Sequence, residues 1–427
     1  MNEDDSQNNI ENFPPAWKKS KLVEVTTIKG RIGWKGLAKS EFSNSGIIII
    51  NGPDIKDGKV LWDKCLRIPV WRHEESSDIS VRKGDVLITK DGTIGKTAFI
   101  DNLPESASIA SGIFLIRAKN EETLSNKFLY QYFNSDNFKG LVESVIEGSV
   151  IPHLYQRDLE QLTIPLPPLD EQKAIAKILS DLDSKIEHNK KMNQTLETIA
   201  QAIFKHWFID FEFPNEDGKP YKSSGGQMVD SKLGEIPKGW NICNVYEIAT
   251  VLFGYPLSSD LFNSKQEGLP IIRNRDLIEQ SPETYSKEKI EEKYIIKYGD
   301  ILVGMDGTFK LSIWKSYPAI LNQRVCKFEP KQNIAKAFLY FSLSDWMKYF
   351  ERSKVGTTVI HLGKSDIDSI RLIAPEKNVM AKFNEISEPI FRKITMNGLE
   401  SINLKKILEI ILPKLISGKI RVPLEEK

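Results

Sequence analysis

Two short strings in this sequence carry a carboxylate, a glycine and a hydroxyl in the same order: Asp91-Gly92-Thr93 and Asp306-Gly307-Thr308. Lysines lie beside both, Lys90 and Lys96 at the first and Lys310 at the second. Asp and Gly supply turn geometry, and lysines next to such a turn can meet phosphates. A second pair of strings is Gly148-Ser149-Val150-Ile151-Pro152-His153-Leu154 and Gly356-Thr357-Thr358-Val359-Ile360-His361-Leu362. Glycine permits close backbone approach, Ser149, Thr357 and Thr358 offer hydroxyls, and His153 and His361 follow them. That mix suits contact with phosphates or base edges, although a plain surface loop accounts for it equally well. Basic residues also alternate with aromatics: Lys29, Arg31, Trp34 and Lys35, then Trp71, Arg72 and His73, and later Arg273, Arg275, Lys310, Trp314 and Lys315. Such a composition suits a surface facing DNA, and a solvated charged face is the plainer alternative.

Signatures of catalysis are missing. No GxxxxGK[ST] loop and no strand-borne GxGxxG occurs, so neither a nucleotide hydrolase nor a dinucleotide or S-adenosylmethionine fold is indicated. No GxSxG elbow is present. The five histidines, His73, His153, His188, His206 and His361, lack metal-ligand spacing. Glu171-Gln172-Lys173 has the form of a nuclease ExK element, but it falls in the first turn of a predicted helix. Acidic residues there are ordinary end-capping, so a structural role is preferred. No metal site, cofactor or catalytic nucleophile is therefore expected in this chain.

The bulk numbers agree with a globular chain of more than one domain. Its 427 residues are 40% hydrophobic and 27% charged, with a net charge of +1. Three cysteines, Cys65, Cys243 and Cys326, lie far apart without a CxxC, which points to a reducing compartment. Residues 1–12 are polar and acidic and are expected to be disordered. No apolar run reaches 18 residues, so a soluble, cytoplasmic protein without membrane association is expected.

The elements that must position these residues repeat. Gly84-Asp85-Val86-Leu87-Ile88 is echoed by Gly299-Asp300-Ile301-Leu302-Val303, a shift of 215 (299 − 84). His153 and His361 are shifted by 208 (361 − 153), and Trp17 and Trp240 by 223 (240 − 17). One module is used twice, which implies internal two-fold symmetry and a target with two sites at a fixed distance. Composition divides the chain into a first β-rich segment at 13–165, a helical segment at 166–212, a polar connector at 213–239, a second β-rich segment at 240–374, a second helical segment at 375–420 and a tail at 421–427.

The first helix follows Pro167-Pro168 and is predicted to run to about Phe211. Ile175, Leu182, Asn189, Leu196 and Ile203 recur at sevens, accompanied by Leu179, Ile186, Asn193, Ala200 and Trp207. This is the stripe of a coiled-coil seam. The second copy reads Phe383, Ile390, Asn397, Leu404 and Ile411, with Ser387, Ile394, Ser401, Leu408 and Leu415. Asn189 recurs as Asn397. A lone Asn in such a seam fixes register at some cost in stability, and antiparallel pairing would bring the two Asn layers near each other. Pro389 is expected to start the second helix late or to kink it near Ser387. Two helices packed on separate cores is the alternative.

With these residues in view, a family resemblance emerges. Ile164-Pro165-Leu166-Pro167-Pro168-Leu169-Asp170-Glu171-Gln172-Lys173-Ala174-Ile175-Ala176 is very similar to the start of the central conserved region in specificity (S) subunits of type I restriction-modification systems. So are Ala202-Ile203-Phe204-Lys205-His206-Trp207-Phe208-Ile209-Asp210-Phe211 and Leu233-Gly234-Glu235-Ile236-Pro237-Lys238-Gly239-Trp240. Leu415-Ile416-Ser417-Gly418-Lys419-Ile420-Arg421-Val422 resembles the closing segment of that family. The resemblance implies two pseudo-two-fold-related α/β target-recognition domains separated by two long antiparallel coiled-coil helices. It implies a non-catalytic subunit that reads a bipartite sequence in double-stranded DNA with an unspecified spacer. Such a subunit docks two methyltransferase (M) subunits, and restriction (R) subunits join them. S-adenosylmethionine, ATP and Mg2+ would be bound by those partners, leaving this chain no cofactor of its own. The candidate DNA contacts are then Lys90, Asp91, Thr93, Lys96, Arg72, Ser149 and His153 in the first copy, and Arg273, Arg275, Asp306, Thr308, Lys310, Thr357, Thr358 and His361 in the second. Alternatives are a coiled-coil scaffold that reads no DNA, or an S-like subunit of a modification-only phage-defence system.

Overall fold

The computed structural model describes residues 13–31, 37–147, 152–354 and 360–423; the expected disordered segment 1–12 lies outside them. Two compact units form: residues 1–184 with 405–427, and residues 185–404. The linear division expected from composition gave each long helix a segment of its own. Packing instead divides each helix between the units, because the ends of its stripe are buried in different cores. Ile175 and Leu179 share one core with Leu415 and Ile416. Ala200, Phe204 and Trp207 share another with Phe383 and Phe391.

Each unit is built from the same parts. In the first, an antiparallel sheet runs in the order Thr26–Gly30, Ile113–Ala118, Val86–Thr89, Thr97–Phe99. Ile47–Ile50 pairs in parallel with Ala107–Ile109 in a second sheet, and Lys18–Lys21 closes the unit against Thr163–Leu166. In the second unit the corresponding sheet runs Ala249–Phe253, Val325–Pro330, Ile301–Gly304, Leu311–Ile313. Leu269–Ile272 and Ala319–Leu321 form the parallel pair, and Asn241–Asn244 closes against Arg371–Ala374. The continuous apolar runs that mark both copies are central strands covered on both faces. Side chains alternate across a strand, so Val86 and Ile88 enter one core and Leu87 the other. Ile301 and Val303 are likewise separated from Leu302.

The two long helices span Leu169–Phe208 and Lys377–Ile416, 40 residues each, or roughly 60 Å at ~1.5 Å per residue. The first ends three residues before the expected Phe211 (211 − 208), which adopts a left-handed φ of 59°. All ten positions of its predicted stripe are buried or half-buried. Pro389 neither delays nor interrupts the second helix. A proline costs a helix interior about 3 kcal/mol through a lost hydrogen bond and a ring clash, and the burial of Phe383 and Phe391 in the core on either side of it offsets that cost.

The pairing is antiparallel in both units. In the second, the Asn189 amide donates to Glu400 Oε2 at 2.9 Å, the Asn397 amide to Asn193 Oδ1 at 2.9 Å, and the Asn193 amide to the carbonyl of Ile394 at 3.0 Å. Asn189 and Asn397 are both buried. The expected meeting of the two Asn layers is thus a polar network that also includes Asn193, Glu400 and Ser401, whose hydroxyl accepts from the Asn189 amide at 3.3 Å. The connector at 213–239 is more than a polar link. Phe213 stacks between Tyr221 and Trp240, with ring centroids at 4.5 and 4.8 Å.

Candidate nucleic-acid interface

In the first unit, Asp91-Gly92-Thr93 leaves the central strand Val86–Thr89 through a tight turn. Gly92 and Gly95 take φ of 68° and 82°, a region that glycine enters without steric cost. Thr89 Oγ1 donates to the carbonyl of Thr93 at 2.5 Å and accepts from the Lys96 amide at 2.9 Å. The Leu154 amide donates to the carbonyl of Lys90 at 3.0 Å. Beside that bond, the Asp91 carboxylate is hydrogen-bonded to Nδ1 of His153.

The second unit repeats the arrangement. The Leu362 amide donates to the carbonyl of Met305 at 2.8 Å. His361 Nδ1 lies 2.7 Å from Asp306 Oδ1. These are the same two bonds at the same two shifts, 208 (362 − 154) and 215 (305 − 90). A carboxylate-imidazole pair and one backbone bond therefore hook the Asp-Gly-Thr turn to the His-Leu segment in each copy. Gly307 adds a third bond in the second, from its amide to the carbonyl of Ile360 at 3.0 Å.

Residues that sequence patterns did not single out complete both sites. His153 packs on Tyr155 at 4.5 Å, and the Arg157 guanidinium lies 4.6 Å from the Tyr155 ring. Arg324 Nε is 3.5 Å from Asp306 Oδ2, and the Asn274 amide donates to the carbonyl of Asp306. The available signal for the hook was the recurrence of both Asp and His. Separations of 62 and 55 residues gave no distance between them.

The remaining predicted residues divide by environment. Thr93 and Thr308 are exposed at their turns, and Lys96 and Lys310 are half-buried. Lys90 places its ammonium 4.7 Å from the Phe114 ring, and burial lowers its pKa. Arg275 is exposed, whereas Arg273 Nε donates to Asp276 at 3.1 Å. Arg72 is engaged by Glu75 at 2.7 Å and Glu41 at 3.2 Å, with its side chain only 12% exposed. Trp314 and Lys315, grouped by composition with the DNA-facing residues, point elsewhere. Trp314 is fully buried, and Lys315 reaches Glu197 on the first long helix at 3.5 Å. Ser149, Thr357 and Thr358 lie outside the described residues, as do Trp34 and Lys35.

Glu171 has a structural role, as expected, though a different one from capping. It is buried, accepts from Trp17 Nε1 at 2.9 Å, and is clasped by Arg421 at 2.5 and 2.8 Å. Among the described residues, no group of three or more His, Cys, Asp or Glu side chains is arranged to hold a metal. No described helix is long and apolar enough to cross a membrane.

A family profile described as "Type I restriction modification DNA specificity domain" matches residues 14–198 and 237–406, once for each copy of the module. The chain belongs to this family. Among its specificity-subunit relatives, the type I restriction enzyme MjaIX specificity subunit of Methanocaldococcus jannaschii is 30% identical over 354 residues, covering 80% of this chain and 78% of that one. The HindI specificity subunit of Haemophilus influenzae is 24% identical over 438 residues, covering 88% and 94%. The crystal structure of a type I restriction-modification S subunit from M. genitalium shares the fold. Its TM-score is 0.60 at 17% identity, over 96% of this chain and 97% of that one. Both hooked turns belong to specificity domains, one in each matched segment.

Proposed function

We propose that this chain is the non-catalytic, DNA-reading subunit of a type I restriction-modification complex, and that each hooked turn lies on the surface that meets one half of a bipartite site. The observation that carries this is the duplicated hook. A turn bearing carboxylate, hydroxyl and lysine is held to the same second segment in both copies, as a protein needs when it presents one kind of surface to a duplex twice. Base edges in the major groove then supply sequence discrimination, while lysine and hydroxyl contacts to phosphates set orientation. Two heads on one chain make the second engagement intramolecular and add affinity without new contacts.

The partners in this proposal are double-stranded DNA, two methyltransferase subunits and restriction subunits, acting in the cytoplasm. S-adenosylmethionine, ATP and Mg2+ would be bound by those partner subunits. Support for two copies of one partner comes from exposed isoleucines on the long helices. Ile178 and Ile386 are 37% and 43% exposed and related by 208 (386 − 178); Ile199 and Ile407 are both 44% exposed and related by the same 208 (407 − 199). Single exposed side chains are not patches, but their recurrence at one shift is what two equivalent docking positions require.

The test is to express the chain with its methyltransferase subunit and map methylated adenines. A motif of two short defined sequences with a fixed gap is expected, and purified chain alone should methylate and cleave nothing. Exchanging residues 240–374 for those of a relative should change one half only, and four residues, about one helical turn, inserted near Asn189 should change the gap only. Methylation without a bipartite motif, or turnover by the chain alone, refutes the proposal.

A further inference from the structure

Lys315 and Tyr317 follow the strand Leu311–Ile313 in the second unit, and both reach the long helices. Gly398, in the interior of the second helix, faces Lys315 so closely that a Cβ built there would lie 2.7 Å from Lys315 Cβ and Cδ and 2.9 Å from Cγ. Real side chains do not approach to such distances. The Lys315 side chain continues past Gly398 to Glu197 on the first helix, at 3.5 Å. Tyr317 Oη hydrogen-bonds Asn403, which follows Gly398 on the second helix.

The loop that makes these contacts cannot easily withdraw. The Lys315 amide donates to Gln280 Oε1 at 2.7 Å. The Gln280 amide in turn donates to Ser312 Oγ and the carbonyl of Ile313, both at 2.8 Å. Trp314 is fully buried and donates to the carbonyl of Tyr317 at 2.8 Å. Glycine is among the poorest residues for a helix interior, and here it leaves room for one neighbour. The first copy has no such glycine. The position 208 before Gly398 is Lys190 (398 − 208), and the residue corresponding to Lys315 is Asp101, next to Ile100 as Lys315 is next to Trp314. Ile100 and Trp314 are equivalent because their carbonyls accept from Gly84 and Gly299, both at 2.7 Å.

We infer that Gly398, with Lys315 and Tyr317, is the seat that fixes the second recognition domain on the paired helices, and so is a positioning determinant of the gap between half-sites. This rests on the function proposed above. The seat holds orientation, whereas Asn189 and Asn397 hold helix register, so the gap has a second determinant specific to one domain.

The experiment uses the full chain assembled with its methyltransferase subunit and a DNA library in which the gap between fixed half-sites varies. Gly398→Ala and Gly398→Leu should leave both half-site sequences unchanged and weaken the preference for the native gap, Leu more than Ala. A misplacement of about 1 Å can cost on the order of a hundredfold in rate, and the discrimination between the native gap and one longer or shorter by a base pair should fall by up to that factor. Lys315→Gly in the Gly398→Ala background removes the opposing Cβ and should return the preference to that of Lys315→Gly alone, so that the two changes do not add, which a general loss of stability would not allow. If the Gly398 variants fail to assemble, Lys315→Gly alone reads the seat and should relax the gap. Unchanged gap preference in Gly398→Leu, or in Lys315→Gly where only that variant assembles, overturns the inference, as does an altered half-site sequence. If the unmodified complex methylates no bipartite motif, the proposed function has failed instead.

Discussion

Trp17 and Trp240 open the two copies of the module, yet the pockets that hold them are chemically opposite. Trp17 donates its indole N–H to buried Glu171, which also accepts from Arg421. Gln172, the next residue, accepts from the Ser125 amide and donates to the carbonyls of Thr123 and Pro167, each at 2.9 Å. At the corresponding positions the second copy has Val379 and Met380, and Trp240 packs among Phe208, Phe211 and Phe213. The Ala335 amide, where Ser125 stands in the first copy, meets the sulfur of Met380, at 3.4 Å. A duplicated fold thus keeps its backbone while one copy is closed by directional bonds and the other by aromatic packing. Directional bonds fail when one partner is lost; packing fails in proportion to the volume removed.

The sharpest break should come from volume. Phe383 lies 4.8 Å from Phe208 and 5.7 Å from Trp207, fully buried. Phe383→Ala should cost about 3–5 kcal/mol, and Ile175→Ala at the matching position of the first copy about 2–5 kcal/mol. Denaturant unfolding, with hydrogen exchange resolving each unit, checks the order. Next comes Glu171→Leu, which strands the buried indole N–H of Trp17 at a cost of about 1–3 kcal/mol. Adding Trp17→Phe should recover much of it, since both polar partners are then gone; no recovery in the double variant would contradict the contrast. A smaller difference separates the central ion pairs. Arg117 grips buried Asp85 at 2.6 and 2.8 Å, while Lys327 stands 3.7 Å from Asp300. Arg117→Lys should cost about 1 kcal/mol, whereas Lys327→Arg should stay within about 0.5 kcal/mol, both read from thermal unfolding.

The smallest effect concerns acid. The Asn189 amide, and then Lys185, hold the Glu400 carboxyl below its ordinary range; the matching residue 208 earlier is Met192 (400 − 208). A lowered folded-state pKa contributes stability that is present above the ordinary carboxylate range and is lost as pH falls through the lowered value. Glu400→Gln should therefore remove a small part of the acid sensitivity of the second unit, visible as a shallower loss of melting temperature between neutral and acidic pH. An unchanged slope would show that Asn189 contributes nothing there.

Much of this fold was legible because periodicity reports burial directly. The stripe from Ile175 to Trp207 and the runs Val86-Leu87-Ile88 and Ile301-Leu302-Val303 mark surfaces that must leave water, whatever covers them. Pro389 does not delay the second helix, contrary to expectation, since the burial of Phe383 and Phe391 on either side offsets the ~3 kcal/mol that a proline costs a helix interior. The candidate site was less legible. Recurrence identified Asp91, His153, Asp306 and His361 as members of a repeated feature, but only folding could pair them. Composition placed Trp314 and Lys315 on the DNA side, because interleaved basic and aromatic residues carry no sign of the face they occupy. At the end of a strand one of them enters the core and the other crosses to a helix. The ion pair that engages Arg72, a candidate DNA contact, was illegible for a similar reason: Glu41 is 31 residues away in sequence.

The split of the long helices sets an order of assembly at the ribosome. Residues 185–404 are contiguous, so the second unit possesses all its parts once they emerge, whereas the first must wait for residues 405–421, although most of it precedes the second unit in sequence. Buried Glu171 gains its partner Arg421 only when residues 405–421 have followed the second unit, and Gly418 then closes against Pro14. Residues 1–184 are completed after the unit that follows them in sequence, leaving Ile175 and Leu179 without the cover of Leu415 and Ile416 while residues 185–404 are made, an interval in which such exposed surface is prone to aggregate.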